Sequence, residues 1–259
     1  MFPRARFTAN PYTRETQIYA SSSLLDLLPA ANRLAIWYAG DGTGGGSYIS
    51  AADGAAVGSF VDAVASLTLS SSGTNRPTYR QSVAAFNNRG AVEFSAAASQ
   101  YLEATVASAL AANLTTYSIY VVFATTSTAV SEMYYEGRNI SSTPIIIARY
   151  NNTGLRSLHR SDGNVSANIT GGSGYNDGTA HLFTLKRTAS NAFQSYGDGT
   201  SLGTSTGAPG TTTVDRIALG RFSTGGGTSY FTGQLAAVIL YSADNRTTVE
   251  PILNTHYGM

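Results

Sequence analysis

The sequence of 259 residues contains no cysteine, a single tryptophan and a single lysine. The lack of cysteine excludes disulfide frameworks, thiolate zinc sites and thiol nucleophiles. Charged residues make up 12% of the chain and the formal net charge is +1, so no global field favours nucleic acid or an anionic membrane surface. Because no apolar run reaches about 18 residues, the sequence also predicts no membrane insertion.

Glycine, small polar residues and tyrosine are abundant, with 27 Gly and 16 Tyr. From about residue 32 onward, short apolar or alternating runs are broken by Gly, Asn, Asp and Ser, which is the pattern of strands joined by tight turns. The predicted strands are residues 33–38, 91–94, 101–104, 117–125, 144–150, 155–159, 181–187, 192–196, 201–204, 215–220 and 234–241. We therefore expect an all-β fold, an antiparallel two-sheet jelly-roll sandwich over residues 32–259, with 117–125 as a central strand.

The two ends of the chain differ from this pattern. Residues 1–31 mix arginine with aromatics without a period and predict an extended N-terminal arm, in which Ser23 caps one helical turn that Pro29 closes. Residues 247–254 predict a short C-terminal helix after Asn245. We expect the arm to contact a neighbouring subunit or a partner through Phe2, Arg4, Arg6, Phe7, Tyr12, Arg14 and Tyr19.

Several stretches, in order along the chain, resemble a known family. They comprise Leu34, Trp37, Tyr38 and Asp41, then Asp53, Gly54, Val57, Phe60 and Asp62, then Pro77, Tyr79, Ala91, Val92 and Phe94, then Tyr101 and Leu102, and finally Phe231, Gly233, Leu235, Ala237 to Ile239, Tyr241 and residues 252–258. Over about residues 34–259 they resemble the concanavalin A-like lectin/glucanase superfamily, specifically the laminin-G-like jelly-roll modules of phage and bacterial surface proteins. The resemblance implies carbohydrate binding or a structural role. Ala236 and Ala237 depart from the family, which often has an acidic residue here, and this argues against a ligand role for the last strand.

Catalytic signatures are weak. Glycoside hydrolysis needs two carboxylates close together, whereas Glu93, Glu103, Glu132 and Glu136 are dispersed. The histidines, His159, His181 and His256, accompany no nucleophile elbow, so we interpret His181 and His256 as packing or turn residues. The sequence therefore predicts a protein that is not an enzyme, with a glycan hydrolase as the weakest alternative.

Two binding chemistries stay open. A calcium ion could take oxygen ligands from Asp162, Asn164, Asn176 and Asp177, although Asn and Asp also suit tight turns; otherwise no cofactor is expected. Aromatic rings at predicted turns or strand ends could stack on sugars or serve protein interfaces, and they are Tyr134, Tyr135, Tyr175, Tyr196, Phe222 and Tyr230.

The main hypothesis from the sequence is a non-catalytic virion structural protein, a bacteriophage capsid decoration, cement or fibre-associated subunit. Its partners would be the major capsid protein or other virion proteins and sister subunits, with a homo-oligomer, a trimer by analogy, as the expected assembly. The opening residues do not resemble a secretory signal, so we expect synthesis in the host cytoplasm and a place on the outer capsid surface, tail or fibre. The alternative is a carbohydrate-binding module for host-surface glycans.

Overall fold

A computed structural model describes residues 23–41, 48–138, 141–152, 154–222 and 229–259, with the side chains of 141–144 excepted. These residues form sixteen strands and two α-helices, α1 (Leu24–Leu27) and α2 (Arg246–Tyr257). The strands are β1 (Arg33–Tyr38), β2 (Ser59–Val61), β3 (Thr68–Ser70), β4 (Thr78–Val83), β5 (Arg89–Phe94), β6 (Leu102–Thr105), β7 (Tyr117–Ala124), β8 (Ser131–Arg138), β9 (Ser141–Asn151), β10 (Gly154–Arg160), β11 (Ser166–Gly171), β12 (His181–Ala189), β13 (Ala192–Gly197), β14 (Thr200–Ser205), β15 (Arg216–Leu219) and β16 (Gly233–Tyr241).

The strands form two antiparallel sheets of eight. Sheet A has the order β14-β13-β12-β7-β16-β5-β4, and β1 pairs with the part of β16 that β5 leaves free. Sheet B has the order β11-β10-β9-β8-β15-β6-β3-β2. The predicted two-sheet all-β sandwich is thereby confirmed.

Alternation along the strands separates two apolar layers. Inward-facing side chains such as Trp37, Phe94, Phe123 and Phe183 fill the space between the sheets and are fully or almost fully buried. The opposite face of sheet A is also buried, because α1 and α2 lie over it and contribute Leu24, Leu28, Val249, Leu253 and Tyr257. Strand β7 is consequently buried along its whole length, and its predicted central place is confirmed.

The outer face of sheet B differs from that of sheet A. It carries a small apolar cluster of Tyr135, Ile145, Ile147, Leu158 and Ala218, with Phe222 packed against it. Neither helix of the described residues lies on this face, since both belong to the layer on sheet A. Neither has the length and apolar character that crossing a membrane requires.

Both predicted helices are present. Ser23 precedes α1, and its N–H donates to the Asp26 carboxylate at 3.1 Å. The last residues of the predicted arm contact their own domain: the Arg33 guanidinium donates to the carbonyls of Leu25, Leu28 and Pro29. The seven arm residues predicted to contact a partner lie outside the described residues.

Strand β8 corrects one prediction. Tyr134 and Tyr135 were expected at a turn or strand end, yet both lie inside a strand of eight residues. The segment is absent from the predicted strands, and the two tyrosines are flanked by Glu132 and Glu136. The fold accommodates both, because Glu132 pairs with Arg149 on one face and Glu136 accepts backbone hydrogen bonds on the other.

Candidate functional site

The outer face of sheet B contains a groove at the step between β3 and β6, with a volume of about 480 Å³. Ser70 and Glu103 are directly paired across these strands, so their side chains share the face. Hydroxyls and one carboxylate dominate the walls, which are lined by Leu67, Thr68, Ser70, Ser71, Ser72, Tyr101, Glu103, Ala104 and Thr105. Such a lining offers many hydrogen-bonding groups to a polar ligand.

Aromatic rings border this groove. The Tyr101 and Tyr230 rings are 6.4 Å apart between centroids and inclined at 36°, and both side chains are partly exposed. The Arg221 guanidinium lies 4.1 Å from the centre of the Tyr101 ring. An isolated bridge between Arg221 and Tyr230 fixes the relative position of these residues. Partly exposed rings held in this way provide apolar faces on which a sugar ring can stack.

Glu103 is fixed between two arginines. Its carboxylate lies 3.2 Å from the Arg216 Nη1 atom and 3.4 Å from the Arg221 Nη2 atom. The three side chains are between 14% and 21% exposed, so the group is oriented but still reaches solvent. A carboxylate positioned this way can accept hydrogen bonds from ligand hydroxyls, and the guanidinium groups can donate them.

The middle of the face is an apolar row with arginines on either side. Strand register places Ala218, Tyr135, Ile147 and Leu158 side by side across four strands. The ring of Phe222 contacts that of Tyr135 edge-on, with 5.4 Å between the two ring centres. The Arg149 guanidinium lies 5.7 Å from the centre of the Phe222 ring. Arginine therefore covers the aromatic groups of this face at two separate places.

Beside this row, Glu132 is fully buried and forms an ion pair with Arg149 and a hydrogen bond with the Ser229 hydroxyl. Burial raises the pKa of Glu132, and Arg149 and Ser229 partly counteract that rise. The carboxylate thus serves mainly to hold Arg149 on the face.

The predicted aromatic platform is only partly assembled. Tyr135, Phe222 and Tyr230 all lie on the outer face of sheet B, but Tyr135 is fully buried there and only the other two rings are partly exposed. Tyr134 is enclosed between the sheets, where its hydroxyl donates to Glu136 at 2.9 Å, and it is not available to a sugar. Tyr101, which the sequence marked as part of a strand motif, takes a place beside Tyr230 instead.

The two remaining predicted rings lie elsewhere. Tyr175 is almost buried and packs edge-on against His181 at 5.2 Å. Tyr196 lies on sheet A beneath Arg246 of α2, whose guanidinium is 3.6 Å from the ring centre. Neither therefore joins the groove on sheet B.

Both aspartates predicted to hold calcium accept hydrogen bonds from threonines. Asp162 accepts from the N–H and hydroxyl of Thr213, at 3.1 and 2.8 Å. Asp177 accepts from the N–H and hydroxyl of Thr179, at 2.8 and 2.7 Å, and Asn164 takes a left-handed turn conformation with φ of 63°. Asn176 precedes Asp177 in the connection between β11 and β12. Across the described ranges there is no group of three or more His, Asp or Glu placed to hold a metal ion.

The histidines have structural surroundings. His159 is buried between the sheets, 2.9 Å from the Tyr117 hydroxyl and 3.2 Å from the Thr212 hydroxyl, and burial lowers its pKa to about 3. His256 is buried beside Tyr38 and Tyr257. His181 bridges Asp198, at 2.8 Å, and Asp177, at 3.0 Å, and so ties the connection before β12 to the β13–β14 hairpin.

Comparisons with known proteins indicate the fold. No protein-family model and no curated protein matches the chain. Among solved structures the chain is similar to Trypanosoma rangeli sialidase in complex with sialic acid, at 13% identity and a TM-score of 0.59, over 88% of this chain and 33% of that chain. It is also similar to the CBM40 of Ruminococcus gnavus IT-sialidase bound to α2,3-sialyllactose, at 16% identity and a TM-score of 0.48, over 56% of this chain and 84% of that chain.

At identities this low the likeness is one of fold, an all-β sandwich. The chain spans about a third of the length of the trypanosomal sialidase. The arm contacts predicted for a virion subunit lie outside the described residues. The virion role implied by the resemblance therefore stays a prediction.

Proposed function

We propose that this chain is a non-catalytic glycan-binding module, and that the outer face of sheet B is its binding surface. The observation that carries the proposal is the groove beside Tyr101, in which partly exposed rings stand next to an oriented group of Glu103, Arg216 and Arg221. Sugars present an apolar ring face and a rim of hydroxyls. A site that combines aromatic rings with fixed donors and acceptors complements both features.

The arrangement of carboxylates supports binding without hydrolysis. A glycosidase needs one carboxyl group that gives up a proton and a second that attacks or activates water. On this face Glu103 is ion-paired with Arg216 and Arg221, and Glu132 is buried against Arg149. Glu136 points between the sheets, where it accepts hydrogen bonds from the N–H groups of Leu110 and Ala111, at 2.6 and 3.2 Å. We therefore assign no catalytic role to these groups.

A broad glycan array probed with the labelled chain tests this function. We expect binding to a subset of glycans, and we expect Tyr101→Ala to abolish or strongly weaken it. Tyr196→Ala is a matched control, because Tyr196 is also a partly exposed tyrosine stacked under an arginine but lies on sheet A. Silence of the folded wild-type chain across the array would contradict the proposal, as would equal losses in the two variants.

A further inference from the structure

Arg149 and Arg156 occupy directly opposed positions on β9 and β10, on the outer face of sheet B. Like charges directly opposite each other on one face of a sheet destabilise it. An opposed arginine pair on a partly exposed face therefore calls for an explanation beyond stability.

The two opposed arginines differ in their partners. Arg149 is neutralised by Glu132. The Arg156 Nε atom donates to the Asn168 side-chain oxygen at 2.9 Å, and within the described residues no carboxylate pairs with it. Arg160 lies four positions along β10 on the same face, a rise of about 13 Å. Partial burial lowers the pKa of Arg156, and the positive charges of Arg149 and Arg160 lower it further.

We infer that Arg149 and Arg156 bind the anionic group of an acidic glycan, a carboxylate or a sulfate ester, whose neutral part extends over Phe222 toward the Tyr101 groove. This inference rests on the proposed glycan-binding function and specifies its ligand class. A guanidinium group can pair with two oxygens of a carboxylate or a sulfate ester through two parallel hydrogen bonds. The net charge of +1 makes the attraction local to this face rather than a property of the whole molecule.

The geometry of the sheet allows one ligand to reach both places. Strand β9 is three strands from β6, a distance of about 14 Å at the usual strand spacing. Phe222 lies between them, with Arg149 on one side and the Tyr135 ring on the other. An oligosaccharide bound by its acidic unit at Arg149 and Arg156 therefore passes over an aromatic ring on its way to the groove.

An array of matched pairs tests the inference, each pair a neutral glycan and its counterpart with one added carboxylate or sulfate, such as lactose, 3′-sialyllactose and 3′-sulfolactose. We expect the anionic members to bind at least tenfold more tightly. In titrations with the best pair, Arg156→Gln should weaken binding of the anionic member by about ten- to a hundredfold and leave the neutral member unchanged, because a hydrogen bond to a charged group is lost. Arg156→Lys should restore only part of the affinity, since lysine keeps the charge but not the planar fork.

Arg80→Gln is the charge-matched control, because Arg80 lies on β4 of sheet A and is 44% exposed. Unfolding followed by fluorescence of the single, fully buried Trp37 confirms that each variant is folded. Equal binding of neutral and anionic members, or an unchanged preference in Arg156→Gln, would overturn the inference while leaving glycan binding intact. If the folded chain bound neither member of any pair, that result would instead contradict the proposed glycan-binding function itself.

Discussion

Glu103 and Arg216 form an ion pair of 3.2 Å across the antiparallel strands β6 and β15, at the border of the groove. Arg221 approaches the same carboxylate from the other side at 3.4 Å. One negative charge thus orients two donors that would otherwise repel each other. In this arrangement Glu103 can accept hydrogen bonds from ligand hydroxyls, and it also holds the guanidinium groups of Arg216 and Arg221 in position.

The first prediction concerns this carboxylate. Glu103→Gln should weaken binding of neutral glycans by about five- to thirtyfold, because a charged acceptor becomes a neutral one and both arginines lose their counter-charge. The free energy of unfolding should change by less than about 1 kcal/mol, as is usual for partly exposed ion pairs. Calorimetric titration and urea unfolding measure the two quantities. Unchanged affinity with a marked loss of stability would mean that Glu103 is structural.

The second prediction concerns His181. Burial by itself would lower the pKa of His181, but the hydrogen bonds and negative charges of Asp198 and Asp177 outweigh it, and the pKa is raised above 6.5. The folded chain therefore holds this proton more tightly than the unfolded chain. The resulting stabilisation is fully present below pH 6.5 and is lost as the pH rises through the folded-state pKa.

Thermal unfolding between about pH 6 and about pH 8 measures this effect. The melting temperature of the wild-type chain should include a component that decreases as the pH rises through the pKa of His181. The variant His181→Gln should lack this pH-dependent component. Asp198→Asn keeps a residue that tolerates the left-handed turn at this position, where φ is 47°, and should reduce the same component. Identical pH profiles in all three proteins would refute the assignment.

The third prediction concerns the stability of the folded chain at acidic pH. Burial lowers the pKa of His159 to about 3 and that of His256 to about 4. Both histidines are neutral in the folded chain and gain a proton more readily when unfolded, so their contribution to stability is complete above pH 6.5 and declines as the pH falls toward these values. Circular dichroism during acid titration should show unfolding at a lower pH for His159→Gln than for the wild type, provided both have similar stability at neutral pH. An unchanged acid midpoint would show that other groups govern this transition.

The fourth prediction concerns the buried Glu136. It accepts hydrogen bonds from the N–H groups of Leu110, Ala111 and Ala112 and from the Tyr134 hydroxyl. Glu136→Ala should lower the free energy of unfolding by at least about 3 kcal/mol, because several buried donors lose their acceptor. Glu136→Gln should retain most of the stability, since an amide oxygen still accepts and burial already disfavours the charge by raising the pKa of Glu136.

Glu93→Ala is the comparison for this prediction. Glu93 pairs with Arg80 at the surface, and its side chain is 38% exposed. The substitution Glu93→Ala should lower the free energy of unfolding by less than about 1 kcal/mol. Equal costs for Glu93→Ala and Glu136→Ala in urea unfolding would contradict the role given to the buried carboxylate.

The parts of the fold that were predictable have strong local signals. The apolar centre of β7 indicated a middle strand with one face in the core and the other partly covered, and the structure buries both faces. The Asp198–Gly199 dipeptide is typical of tight hairpin turns, and it lies between β13 and β14 with positive φ at both residues. Strand β8 was missed because the groups that stabilise the carboxylates of Glu132 and Glu136 are distant in sequence. Arg149 pairs with Glu132, and the backbone amides of residues 110–112 donate hydrogen bonds to Glu136. Sequence periodicity carries no information about such partners.

The candidate site was harder to predict for the same reason. Arg156 and Arg160 are four positions apart on one strand, so a strand assignment alone puts the two arginines on one face of the sheet. The opposed position of Arg149, however, depends on the register between β9 and β10. Tyr101 and Arg221 come from segments more than a hundred residues apart, and they meet because β6 and β15 are neighbours.

The most direct test of the central claim is amide NMR of the ¹⁵N-labelled chain titrated with its best-binding glycan. Binding at the outer face of sheet B predicts that the largest shift changes fall on β3, β6, β8, β9, β10 and β15 and at Tyr101, Arg221 and Phe222. The amides of α2 and of the outer face of sheet A should remain unchanged. Shift changes concentrated on sheet A or α2 would contradict the account.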